Sequence, residues 1–258
     1  MSMKKLIIKI DDLLQREGLY YKKFSDVPFT GEIDDEEKGL IKNGKREGSW
    51  EGLDKDVTLI YEGNYKNGKK EGSWTYYHWN KEIESKCEFK NGNEIGTWFW
   101  YHKNGQLKIK GNYNNGKKNG SWMSYYQDGN IDNKEEYKNG LQHGSWMSYY
   151  QDGNIKYKKQ YKNGKEDGSW VFYEEGGQLS GEFNYKNGKK DGLWIEYWDD
   201  GQLFQKGSYK NDKKEGHWLI YNGENVHDYS GNYKNGIQIS SDNGKLSDKS
   251  LIDKYLIE

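Results

Sequence analysis

Residues 65–77 read Tyr-Lys-Asn-Gly-Lys-Lys-Glu-Gly-Ser-Trp-Thr-Tyr-Tyr. Asn67-Gly68 stands between aromatic runs. That is a strong hairpin signal, because a type I′ turn needs positive φ at both central residues. Outward from this stretch, Gly-x-Trp recurs at Gly48/Trp50, Gly72/Trp74, Gly96/Trp98, Gly120/Trp122, Gly144/Trp146, Gly168/Trp170, Gly192/Trp194 and Gly216/Trp218, always 24 residues apart. The aromatics Tyr65, Phe89, Tyr113, Tyr137, Tyr161, Tyr185, Tyr209 and Tyr233 keep the same period. Gly120–Ile131 is identical to Gly144–Ile155. A fixed period of this kind marks a repeat array, in which each unit stacks on its neighbours.

Each unit holds a second turn signal, for example Asn104-Gly105, Asp128-Gly129, Asp152-Gly153 or Asp200-Gly201. The unit therefore reads as strand, tight turn, strand, longer turn. A two-residue loop at Asn104-Gly105 sets His102 opposite Leu107, Trp100 opposite Ile109 and Trp98 opposite Gly111, all on one face. The same register sets Trp50 opposite Gly63, Trp194 opposite Gly207 and Trp218 opposite Gly231, each glycine leaving room for the facing indole. Cys87, Glu135, Lys159 and Phe183 take the glycine's place elsewhere, and the two charged ones imply a face open to water in mid-array. The expected fold is all-β: an elongated single-layer antiparallel sheet of eight 24-residue β-hairpin repeats with short terminal caps. At ~4.8 Å per strand each unit adds ~10 Å. Residues 1–40 are expected as the N-terminal cap and 41–236 as the array. Residues 237–258 are expected as the C-terminal cap, with a short helix over Leu251, Ile252, Tyr255 and Leu256 behind an N-cap at Ser247.

The phased unit Tyr-Lys-Asn-Gly-Lys-Lys-Glu-Gly-Ser-Trp-x-x-Tyr-Tyr-x-x-Gly-x-Leu resembles the bacterial variant of the MORN repeat. It looks most like the YwqK-family antitoxins of toxin–antitoxin systems. The leader Gly18–Gly31 is similar to the segment that often precedes such arrays. The resemblance implies a β-hairpin repeat scaffold that binds another protein, in the antitoxin case by neutralising it. MORN arrays are also associated with membranes and phosphoinositides. The 24-residue unit, with Trp after Gly-Ser, departs from the standard spacing, so lipid binding does not transfer directly.

Composition sorts the function classes. The chain has 258 residues, 40 Lys+Arg against 41 Asp+Glu, and a net charge of −1, so it lacks the basic face of a nucleic-acid binder. Arg16 and Arg46 are the only arginines, which argues against extended bidentate phosphate recognition. A mean hydropathy of −1.25 would suit a disordered chain, but 11 Trp, 23 Tyr and 7 Phe would not. Cys87 is the one cysteine, which rules out an internal disulfide framework. No run approaches the ~18 apolar residues of a membrane span, and Lys9 breaks the first apolar run before a secretory h-region of ~7–15 residues forms. Cytoplasm is the default expectation; export with a signal since removed would leave the same trace.

No residue set reads as catalytic. The histidines His78, His102, His143, His217 and His227 lack metal-ligand spacing, His78 and His102 standing one unit apart. Glu47, Glu71, Asp167, Asp191 and Glu215 recur before the glycine and read as a solvated edge rather than an acid/base pair. The lysine row Lys45, Lys69, Lys117, Lys165, Lys189 and Lys213 could face anionic lipid, but the interleaved acids oppose that. The expectation is a non-enzyme with no cofactor and no metal. The indoles Trp50, Trp74, Trp98, Trp122, Trp146, Trp170, Trp194 and Trp218, with Gly63, Gly111, Gly207 and Gly231, form the structural ladder. The variable aromatics two and four places after the Trp, namely Tyr76, Trp100, Phe172, Tyr126, Tyr150 and Trp198, are the candidates for binding a protein partner. Two alternatives stand beside this. One is a carbohydrate- or choline-binding wall protein, since Gly-Ser-Trp-x-x-Tyr-Tyr resembles aromatic repeats that cage choline. The other is a peripheral module on anionic lipid.

Overall fold

A computed structural model describes residues 8–222, 225–226 and 230–242. Ser247 and the expected C-terminal helix, together with His227, lie outside the described residues. The chain divides into two compact units, Met1–Gly129 and Asn130–Glu258. Both are built of antiparallel strands paired with their sequence neighbours. The single helical element among the described residues is a short 3₁₀ turn, Ile10–Asp12. Alternating side chains with no alanine and abundant Tyr and Trp favour strands over helices.

The first unit opens with a hairpin, Leu13–Arg16 with Leu19–Lys22. Strand Gly31–Asp34 then pairs with Glu37–Lys42, which pairs with Lys45–Leu53. Leu13, Phe29, Ile33 and Ile41 bury the first ladder indole, Trp50, at this end. From there hairpins follow in order, with Leu59–Lys66, Lys69–Tyr77, Ile83–Lys90, Asn93–Tyr101 and Leu107–Asn114 each pairing with the next. The second unit repeats the pattern from Ile131–Lys138 to Lys213–Asn222 and ends on Gly231–Lys234 with Ile237–Gln238. The chain then returns along Gly231–Lys234, with the Ile239 amide donating to the Asn232 carbonyl at 2.7 Å and the Asp242 amide to that of Ser230 at 3.0 Å.

The two turn types are exchanged relative to the sequence expectation. Asn67-Gly68 is the two-residue turn: φ is +53° and +80°, and Lys66 pairs directly with Lys69. Asn104-Gly105 belongs to a longer loop. Only Gly105 has positive φ, its amide donates to the His102 carbonyl, and Tyr101 rather than His102 faces Leu107. One irregular step next to the loop absorbs the difference. Trp100 opposite Ile109 and Trp98 opposite Gly111 therefore stand as the register arithmetic places them. Trp50 faces Gly63, Trp194 faces Gly207 and Trp218 faces Gly231.

Candidate functional site

The Gly-x-Trp signature is a bulge. Between the pairs Glu62/Thr75 and Asn64/Glu71 the register slips, so Gly72, Ser73 and Trp74 lie against the single residue Gly63. Gly72 takes φ +72°, a left-handed conformation that glycine adopts without strain. The extra residues swing the indole back over the preceding strand. A Cβ on Gly63 would lie 2.2 Å from the Trp74 ring, so glycine is required by close approach. Gly39, Gly111 and Gly207 lie in the same way under Trp50, Trp122 and Trp218. The glycine that makes room for an indole is thus the one eleven positions before it, not the one facing it in register. Gly231, opposite Trp218, is held tight for another reason, the backbone of Ser240. The indole Nε1–H of Trp74, Trp122, Trp146, Trp170 and Trp218 donates to the carbonyl ten residues back, at 3.0–3.2 Å.

Aromatic rings bracket each indole. Tyr65 meets Trp74 edge-on at 5.1 Å, and Phe89 does so from the other side at 6.1 Å. In the second unit the run Tyr137, Trp146, Tyr161, Trp170, Tyr185 continues at 4.9–5.3 Å. Such pairs contribute about 0.5–1.5 kcal/mol each beyond their area.

A cation completes the rung in five repeats. Arg46 Cζ sits 4.3 Å over Trp50, and the ammonium groups of Lys70, Lys118, Lys190 and Lys214 sit 3.9–4.4 Å over Trp74, Trp122, Trp194 and Trp218. Burial lowers the Lys70 and Lys214 ammonium groups below the ordinary lysine range, so these cells are partly dry. The same position holds Glu94, Gln142 and Glu166 in the remaining three repeats. The indoles divide accordingly. Trp50, Trp74, Trp122, Trp194 and Trp218 are at most 7% exposed, while Trp98, Trp146 and Trp170 are half-buried.

The candidate partner-binding aromatics fall into two groups. Tyr76, Trp100 and Phe172 point to the Trp face and belong to the ladder: Tyr76 lies 6.0 Å from Trp74, Trp100 5.5 Å from Trp98 and Phe172 6.3 Å from Trp170. Tyr126, Tyr150 and Trp198 begin the longer loops. There Tyr150 donates to the Tyr173 carbonyl at 2.9 Å. His78 and His102 make the same stitch to the carbonyls of Tyr101 and Tyr125. Trp198 is 43% exposed and packs on Phe204 at 4.4 Å.

The periodic acids have a task that residue type alone did not reveal. Glu47 and Glu71 accept the backbone N–H of Asn67 and Asn91 at 2.8 and 2.7 Å, and Asp167 and Glu215 do so for Asn187 and Asn235 at 3.1 and 2.9 Å. Each acid thereby anchors the next unit's two-residue turn. The signal was present as an acid 20 positions before each of these asparagines. Charge pairing reinforces the N-terminal end, where Arg46 bonds Glu37 and Glu37 accepts the Tyr61 hydroxyl. Burial pushes the Cys87 thiol up to about 12, so it is an inert packing residue under Trp98. Among the described residues, no group of three or more His, Cys, Asp or Glu could hold a metal ion, and no helix is long and apolar enough to cross a membrane.

Comparison with known families agrees with this geometry. Five consecutive segments, residues 94–115, 118–139, 142–163, 166–187 and 190–211, match the family described as MORN repeat variant. These segments are MORN-variant repeats, and the flanking Gly-x-Trp hairpins continue their period. A search of the curated proteins returned no match.

Proposed function

We propose that this chain is a non-catalytic scaffold that binds another protein through its Trp-bearing face, in the manner of a neutralising, antitoxin-like partner. MORN repeats are generally binding modules rather than enzymes. The observation that carries the reading is that each unit has half-buried aromatics on its Trp-bearing face, Trp98 and Trp100 in the first and Trp146, Trp170 and Phe172 in the second. Aromatic side chains that are neither sealed in a core nor scattered singly are the usual anchors of protein interfaces. The shifted titrations here belong to phenols and cations packed on rings, with the buried Cys87 thiol and the Lys234-paired Glu215 carboxylate as isolated cases, and not to unlike acids and bases converging in one cleft, which is what catalysis would require.

The test is recovery of a partner by cross-linking and mass spectrometry, followed by measured affinity. Trp100→Ala and Phe172→Ala, each verified by circular dichroism as folded, should weaken the complex by about tenfold or more, in line with ~1.4 kcal/mol or more for an interface anchor. Unchanged affinity in both variants contradicts this use of the face. Binding to anionic vesicles or to soluble glycans with no protein partner recovered would move the function to the membrane or carbohydrate alternative.

A further inference from the structure

The repeats themselves indicate what one cell of the ladder accepts. In the rung of Trp194, the Lys190 ammonium lies between the indole and Tyr209, at 3.9 and 5.0 Å. Lys214 lies between Trp218 and Tyr233 at 4.2 and 5.1 Å. Lys70 is placed likewise against Trp74 and Phe89. Even the Trp170 rung, which carries Glu166 at this position, receives an ammonium: Lys159 reaches it from the preceding strand at 4.7 Å. The Glu166 carboxylate lies instead beside the next turn, at Gly188.

The equivalent cell between Trp146 and Tyr161 has the same walls, ring centroids 5.2 Å apart, but no cation among the described residues covers it. Gln142 stands where the lysine would be and hydrogen-bonds Tyr161, bringing no charge. Lys159, directly opposite Trp146, turns its ammonium onto Tyr157 and Trp170. Carboxylates act on the two tyrosines that flank Trp146. Glu135 replaces the usual glycine beneath Trp146, with its carboxylate accepting the Tyr137 hydroxyl at 3.0 Å. Burial first, then Glu166 and Glu135 among others, raise the Tyr161 phenol. Trp98 likewise lacks a covering cation, but it is walled by three rings, Phe89, Trp100 and Tyr113, at 5.0–5.5 Å, whereas two tyrosines flank Trp146.

We infer that the Trp146–Tyr161 cell is a receptor for one lysine side chain, presented by an extended basic segment of a protein partner. The partner's ammonium takes the place that Lys190 and Lys214 take in their own rungs, with ring faces and the Glu135 carboxylate replacing its water. The aliphatic stem lies along the neighbouring rings, as lysine stems do on apolar surface. The inference rests on the protein-binding reading and narrows it to one kind of contact.

The probe is an acetylated, amidated pentalysine peptide titrated into the full chain with ¹⁵N-labelled tryptophan. The Trp146 indole resonance, assigned with Trp146→Leu, should shift saturably, while those of Trp194 and Trp218 stay in place. Gln142→Lys, which supplies the missing cation from within, should weaken the interaction about tenfold. Gln142→Met should preserve it, and Glu135→Gln should weaken it severalfold. Pentaglutamate should leave Trp146 unmoved. The inference is overturned by an absent Trp146 shift, by equal binding in Gln142→Lys, or by a shift given by choline and not by pentalysine. A Trp146 shift that appears on concentrating the protein alone would instead identify a second copy as the occupant and also overturn it. Failure of pentalysine with partner capture intact removes the lysine cell alone. Failure of partner capture removes the wider reading and leaves the titration to decide the cell.

Discussion

The rung at Trp74 and the rung at Trp146 are built from the same strand pattern, yet one is closed and the other is not. Trp74 lies on Gly63, beneath the Lys70 ammonium, and is 2% exposed. Trp146 lies over Glu135, beside Gln142, and is half-buried. Both indoles donate to the carbonyl ten residues back, and both have a tyrosine or phenylalanine on either side. The backbone and its hydrogen bonds therefore set the architecture, while two variable positions decide whether an indole is core or surface. In a thin β-repeat, structure and recognition occupy the same residues and are separated by what covers them.

The largest expected contrast comes from deleting the rings. Trp74→Ala should cost about 3–5 kcal/mol in urea unfolding, the range for a large buried aromatic, and Trp146→Ala only about 1–2 kcal/mol, because less surface leaves water. Equal losses would break the distinction between closed and open rungs. Next is the residue beneath. Gly63→Val drives a side chain into the Trp74 ring and should destabilise by about 1–3 kcal/mol. Glu135→Gly, at the equivalent site, should change stability by no more than about 0.5 kcal/mol while shifting Trp146 emission to the blue. A third comparison concerns the anchors between units. Glu71→Ala removes the acceptor of the Asn91 amide and should cost about 1 kcal/mol, whereas Ile95→Ala, at one of the three places where the acid is missing from the series, removes no such bond. Hydrogen exchange at the Asn91 amide, faster in Glu71→Ala, reads this out directly.

The mildest contrast is in alkali. Burial raises the phenols of Tyr65, Tyr76, Tyr113, Tyr185 and Tyr209 above their ordinary value near 10. The folded chain holds these protons where the unfolded chain releases them. Their contribution is therefore complete below pH about 10 and declines as pH rises through the raised values. Lys70 and Lys214 act in the opposite sense, since their lowered values favour the folded state as pH climbs toward the ordinary lysine range. The raised phenols outnumber them, so the midpoint of urea unfolding should fall between about pH 9 and about pH 11, limits that bracket the ordinary phenol value near 10. A midpoint that rises over that interval would reverse the assignment.

Much of this was legible in the residues. The 24-residue period gave the strand class, and turn arithmetic gave the pairing of Trp98 with Gly111 and of Trp50 with Gly63. Charged Glu135 and Lys159 already marked mid-array as wet. What failed to appear was any effect of the bulge. Counting residues from a turn assumes an unbroken register, and Gly72 inserts extra residues that carry the indole onto the previous strand rather than onto its partner. The same assumption put the two-residue turn at Asn104-Gly105, where Asn104 keeps an ordinary negative φ. Lys70 was hidden for a related reason: it reads as half of a surface Lys-Lys pair, and only the bulge brings it four residues forward over Trp74. The acids were visible as a series, but their acceptor role depends on where the next turn's amide points, which residue type does not encode.

The central claim is that the chain's own cations and glycines close some rungs and leave others open. Indole hydrogen exchange, followed residue by residue in the ¹⁵N-tryptophan spectrum of the intact chain, measures this most directly. Nε1–H of Trp74, Trp122 and Trp218 should exchange at least about tenfold more slowly than those of Trp98 and Trp146, as expected for groups that open only by local unfolding. Uniform exchange across the eight ladder indoles, or protection of Trp146 equal to that of Trp74, would contradict the account.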